Sequence, residues 1–187
     1  MKKLYIVAGA NGSGKTTFAA QFSMQEKINF INADEIAKKL NPNDINKEQM
    51  KAGKQFFKEL NKSLESDKSF SIETTLSGKY TIRTIKKAQA KGFKVVLIYL
   101  FLETESEHII RVDNRVLNGG HYVPKNDIIR RFHRSRNLFL NTYSKLVDEW
   151  LLFYNGDNKF EIVADNNFIY DTELNNKFRE GEENDRP

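Results

Sequence analysis

Gly9-Ala10-Asn11-Gly12-Ser13-Gly14-Lys15-Thr16 sets three glycines, a lysine and a hydroxyl at the spacing G-x-x-x-x-G-K-[ST], with Thr17 next along. Glycines in such a loop let backbone N–H groups turn inward around phosphate oxygens. The lysine reaches the β- and γ-phosphates, and the hydroxyl takes Mg²⁺. The pattern predicts a nucleoside triphosphate held by Gly9 to Thr17, with Thr16 as the metal ligand. Two carboxylates, Asp34 and Glu73, and the hydroxyl of Thr75 follow apolar runs further along. An acid placed near a γ-phosphate can accept a substrate hydroxyl's proton or order the metal. A third group is cationic. Arg111, Arg115, Lys125, Arg130, Arg131, Arg134 and Arg136 crowd positions 111–136 against only Asp113 and Asp127. Arginines that close over a transferring phosphoryl group stabilise the charge spread over its oxygens.

These groups act together only if the fold gathers them. Leu4-Tyr5-Ile6-Val7-Ala8 reads as a buried strand, about 3–8, with a helix-compatible stretch after the loop. Ile28–Asn32 is a short second strand ending at Asp34, and Phe70–Thr75 alternates as a third. Lys94–Leu102 is almost wholly aliphatic, as a strand buried on both faces should be. Phe56, Phe57, Leu60 and Leu64 fall at helical spacing within 46–66. A helix from about Lys79 to Ala90 stops at Gly92. Strands alternating with helices predict an α/β fold whose mainly parallel sheet is covered on both sides. Ligands in such sheets bind beyond the carboxyl ends of the strands, where the loop, Asp34 and the Glu73–Thr75 pair all lie.

Thr104-Glu105-Ser106-Glu107 reads as a capping box opening a helix that carries Arg111 and Arg115 on one face. Gly119-Gly120-His121-Tyr122-Val123-Pro124 breaks it, with His121 shaping the turn. A second helix runs from about Lys125 to Val147. The pair makes a lid, about 104–136, with Arg115 on one arm and Arg131 and Arg134 on the other. Trp150–Tyr154 and Phe160–Ala164 read as strands joined by a hairpin turn. The expected organisation is one domain, 1–178, followed by an apolar-free, disordered tail, 179–187.

The chain of 187 residues has no cysteine and three histidines, which excludes disulfides and thiolate chemistry and argues against structural zinc. No segment approaches the roughly 18 consecutive apolar residues of a membrane span. The start leaves no room for a cleavable signal, so a cytoplasmic protein is expected. The net charge of +5 is concentrated at the proposed lid, which argues for phosphate and against a nucleic-acid groove.

The set G-A-N-G-S-G-K-T-T, Asn32-Ala33-Asp34-Glu35, Glu73-Thr74-Thr75, R-V-x-x-R-V-x-x-G-G-H-x-V-P and R-R-F-x-R-S resembles the zeta-toxin-like kinases over about residues 3–165. The resemblance implies a P-loop NTPase fold with three αβα layers and a helical lid. It also implies ATP and Mg²⁺ as cofactors and phosphorylation of a small-molecule hydroxyl. In zeta toxins the acceptor is a UDP-linked N-acetylamino sugar, so a UDP-sugar acceptor and an antitoxin protein partner are implied here. Lys15 and Thr16 then match the loop lysine and the Mg²⁺ hydroxyl, and Asp34 the aspartate that deprotonates the acceptor. Glu73 and Thr75 match residues that hold substrate and order the metal site. Arg115 and Arg131 match the lid arginines, with Arg111, Arg130 and Arg134 open for either place and Arg134 also a substrate contact. Asn155 resembles a segment near the adenine, and residues 41–69 are the region left to hold a sugar.

Rival readings lack pieces. A GTPase switch needs an Asn-Lys-x-Asp reader, and Asn46-Lys47-Glu48-Gln49 lacks the aspartate. Leu76-Ser77-Gly78 imitates part of an ABC signature, but Lys79-Tyr80 departs from it. A polynucleotide kinase would add a basic track with aromatics. A nucleotide-binding module would bind the donor without acceptor-dependent turnover.

Overall fold

The computed structural model describes residues 1–180 apart from Asn43, Lys79 and His121. The turn-shaping role read for His121, the helix start at Lys79 and the tail beyond Glu180 lie outside the described residues. Six strands form one sheet: β1 (Lys3–Ala8), β2 (Asn29–Ile31), β3 (Phe70–Thr74), β4 (Lys94–Phe101), β5 (Glu149–Tyr154) and β6 (Glu161–Asp165). Their order is β2-β3-β1-β4-β5-β6, parallel except for β6, which pairs antiparallel to β5. The expected hairpin is present, its turn formed by a short 3₁₀ segment at Gly156–Asn158.

Helices cover both faces, as the alternating pattern requires. Against one face, α1 (Lys15–Gln25) packs Phe18, Ala19 and Phe22 on Val7, Val96, Ile98 and Leu100. The other face receives α3 (Ile45–Leu64), α4 (Tyr80–Ala90), α6 (Lys125–Asn141) and α7 (Thr172–Glu180). There Phe56, Leu60, Ile85, Phe139 and Phe178 meet Leu4, Ile6, Ile72, Leu97 and Tyr99. β4 has residues in both clusters, which is why it is apolar throughout. The architecture is the expected three-layer α/β fold. No helix among the described residues is long and apolar enough to cross a membrane.

The lid region is built by α5 (Glu105–Leu117) and α6. The capping box at Thr104 and Glu107 is complete. Val112, Val123 and Ile128 give the two arms a small core of their own. The helix expected to reach Val147 ends instead at Asn141. Thr142 leaves helical geometry at φ −129°, ψ −60°, and a 3₁₀ turn, Tyr143–Lys145, follows. This break buries Tyr143, whose hydroxyl donates to Gly78 O at 3.0 Å. Residues 179 and 180, expected in the tail, close α7, which docks because Phe178 is fully buried.

Candidate active site

The phosphate loop leaves β1 at Ala8 and ends as α1 begins. Gly14, at φ 88°, is the residue that precedes the helix, so the helix N-terminus faces the loop. Gly12, at φ 85°, lies against α5: a Cβ there would stand 2.7 Å from His108 O. Gly14 is crowded in the same sense by the side chain of Asn155. Each is glycine because backbone geometry and a neighbouring element both exclude a side chain.

Lys15 is buried, and its Nζ donates to Ala10 O at 2.8 Å while standing 3.9 Å from Glu73 Oε1. Its pKa is lowered mainly by burial, with Arg115 and Arg131 adding repulsion and Glu73 and Asp34 opposing the shift. Parallel pairing sets Glu73 opposite Val7, one residue short of the carboxyl ends of β3 and β1. Burial raises the Glu73 pKa, countered by Lys15 and by hydrogen bonds from Thr16 and Asn32.

Asn32 opens α2 (Ala33–Leu40). Its Oδ1 accepts from the N–H groups of Asp34 at 2.7 Å and Glu35 at 3.1 Å, while its Nδ2 donates to Glu73 Oε2. Since Asn32 caps the helix, the Asp34 carboxylate is not needed for that task. Asp34 lines two adjoining cavities. One, of about 190 Å³, also contains Asn11, Gly12, Gly14, Lys15, Thr16, Thr17, Arg111 and Arg115. The other, of about 260 Å³, is walled by Asn32, Ala33, Thr74, Ser77, Gly78 and Tyr80. Asp34, Glu73 and Thr75 belong to both. A larger cavity, about 540 Å³, lies at the opposite end of β2 and β3, beside Asn29 and Phe70, and is remote from this chemistry.

The basic segment divides by role. Arg115 lines the loop-side cavity, and Arg131 donates through Nη1 to Asn11 Oδ1 at 3.0 Å. Arg111 lines the same cavity and donates to Asn155 O at 2.7 Å. Arg130 pairs with Asp127 on the surface. Arg134 is exposed and lines neither cavity; its charge is felt at Tyr143. Arg136 is buried, donates to Leu102 O and lies over the rings of Phe132 and Phe178, so it holds α6 to the core. Asn155, read as a neighbour of the adenine, is in direct contact with the loop: its Nδ2 donates to Ser13 O at 3.0 Å.

Sequence reading missed two residues, Asn32 as a link to Glu73 and His108 as a support of the loop. His108 is buried on α5, and its Nδ1 lies 2.6 Å from Asn11 O. Burial lowers its pKa to about 3, so the ring is neutral and its N–H donates to that carbonyl. Its place four residues before Val112, on the buried face of the helix, was the signal available.

Residues 4–136 match the AAA domain family. This chain belongs to that family. A Haemophilus influenzae protein described as uncharacterized is 30% identical over 136 residues, which cover 69% of this chain and 96% of that protein. The AvrRxo1-ORF1:ORF2 crystal structure with ATP superposes with a TM-score of 0.72 at 17% identity, covering 95% of this chain and 63% of that one. This chain is thus the shorter, spanning under two thirds of that neighbour. A structure from the PezAT chromosomal toxin–antitoxin system of Streptococcus pneumoniae gives 0.63 at 17% identity, covering 97% and 85%. The fold is that of the P-loop kinase-like domains, and the zeta-toxin-like resemblance holds at that level.

Proposed function

We propose that this chain transfers the γ-phosphate of ATP to a hydroxyl of a small molecule, with a UDP-linked N-acetylamino sugar as the acceptor its zeta-toxin-like motifs favour. The observation that carries this reading is the wall of Asp34, Glu73 and Thr75 shared by the loop-side cavity and its hydroxyl-rich neighbour. A donor seated on the loop and an acceptor in the second cavity would meet at that wall.

Asp34 is the group to accept the acceptor's proton, since its backbone is fixed by Asn32 and the residue lines both cavities. Lys15, Arg115 and Arg131, which lie close together, supply positive charge where negative charge accumulates on the transferred group. Among the described residues no cluster of three or more acidic or histidine side chains would hold a metal unaided. Thr16, Glu73 and Asp34 do present hard oxygen donors in one cavity, the set that suits Mg²⁺ shared with phosphates. Mg²⁺ held by these oxygens would neutralise phosphate charge. The lid's α5 and α6 limit the access of water, which competes with the acceptor.

The AvrRxo1 neighbour is a complex of two ORF products, and PezAT is a toxin–antitoxin system. An antitoxin-type protein partner is the corresponding proposal for this chain.

The test is an acceptor screen with ATP and Mg²⁺, spanning UDP-sugars, nucleosides, short oligonucleotides and aminoglycosides and read as acceptor-dependent ADP release. Turnover with a UDP-amino sugar supports the full reading. Turnover only with oligonucleotides would replace the acceptor class. ATP binding without turnover on any acceptor would leave a nucleotide-binding module.

A further inference from the structure

Asn11, in the phosphate loop, is gripped by both lid helices. From α5, the neutral His108 donates through Nδ1 to its main-chain carbonyl at 2.6 Å. From α6, Arg131 donates through Nη1 to its side-chain oxygen at 3.0 Å. The two bonds act on different parts of Asn11. His108 fixes the course of the backbone just before Gly12, whose own Cα position is closed in by His108 O. The amide side chain sets where the Arg131 guanidinium rests. The other terminal nitrogen of Arg131, Nη2, stands 3.7 Å from Asp127 Oδ2, one turn back on the same helix. Without the Asn11 amide, the guanidinium would be free to close on that exposed carboxylate and away from the loop. The Asn11 amide oxygen is neutral, so it orients the guanidinium without neutralising it, and the full positive charge remains for an incoming phosphoryl group.

We propose that Asn11 is a positioning residue that seats Arg131 over the phosphate loop, with His108 clamping the backbone on which that seat is built. This rests on the reading above, in which Arg131 meets the transferring group.

Binding of ADP with Mg²⁺, with and without aluminium fluoride as a mimic of the transferring phosphoryl group, tests it without requiring the acceptor. Calorimetric titration of the full chain is compared for wild type, Asn11→Ala, Arg131→Ala and the double variant. The expected result is that Asn11→Ala weakens the aluminium fluoride complex by about tenfold or more beyond its effect on ADP alone, the scale of one hydrogen bond to a charged group. Little further loss should follow in the Arg131→Ala background, because the amide acts through the guanidinium. Independent, multiplicative losses, or an unchanged aluminium fluoride complex in Asn11→Ala, would overturn the seat. If Arg131→Ala itself binds the mimic as wild type does, the assignment of Arg131 fails first and the seat fails with it. His108→Leu should weaken ADP alone, and His108→Asn, which retains an N–H donor, should restore it. Equal losses in both would overturn the clamp. Melting curves of each variant separate these effects from unfolding.

Discussion

The Asn32 side chain joins the start of α2 to the end of β3: its Oδ1 caps the helix and its Nδ2 donates to Glu73. One amide thus fixes the backbone that carries Asp34 and orients the second carboxylate of the same wall. The two tasks use different atoms, so substitution can divide them. Asn32→Ser keeps a capping oxygen and should hold stability within about 0.5 kcal/mol, whereas Asn32→Ala should lose about 1 kcal/mol. Both remove a hydrogen bond that restrains the raised Glu73 pKa. The carboxyl group then stays protonated to higher pH, so the acidic limb of the rate profile moves upward. Thermal melts and a pH–rate profile check both parts, and a Ser variant that melts and turns over as wild type would contradict them.

Arg115 and Arg131 both lie close enough to lower the Lys15 pKa, and both belong to the lid. Replacing either with alanine should lower kcat by on the order of 10² if it stabilises the transferring group. Arg130→Ala, which breaks only a surface pair with Asp127, should change kcat by less than about twofold. Steady-state kinetics of the three variants check this.

His108 gives the fold an acid-sensitive point. Its pKa falls from 6.5 in the unfolded chain to about 3 in the fold. Above 6.5 the ring is neutral in both states and costs nothing. Below that, the unfolded chain takes up a proton the fold excludes, so stability falls as the pH drops from 6.5 towards 3. The His108→Asn variant should show a shallower decline of melting temperature below pH 6.5. Parallel slopes in the two proteins would contradict the buried neutral ring.

The phosphate loop was legible because its constraints are local: three glycines in left-handed or otherwise open backbone, then a lysine and a hydroxyl at the helix start. The strands were legible for a similar reason, since β4 is apolar on both faces and β3 alternates. What stayed hidden depends on contacts between distant segments. Asn32 reads locally as a cap, but its bond to Glu73 crosses 41 positions and needs β3 to lie beside β2. His108 meets Asn11 across 97 positions, through the way α5 crosses the loop. Arg136 was grouped with the phosphate-facing arginines, although it falls four residues after Phe132 on the apolar stripe of α6. That spacing marks it as a packed side chain. α7 escaped notice because only its Leu174 and Phe178 carry apolar contact into the core.

Acceptor-dependent ADP release by Asp34→Asn, measured beside its ATP affinity, bears most directly on the central claim that Asp34 receives the acceptor's proton at the wall between the two cavities. The asparagine keeps the size and the main-chain hydrogen bond to Asn32 but cannot take up a proton. ATP affinity within about threefold of wild type, with kcat lower by about 10² or more, is the predicted result. Turnover at the wild-type rate with the same acceptor would contradict it.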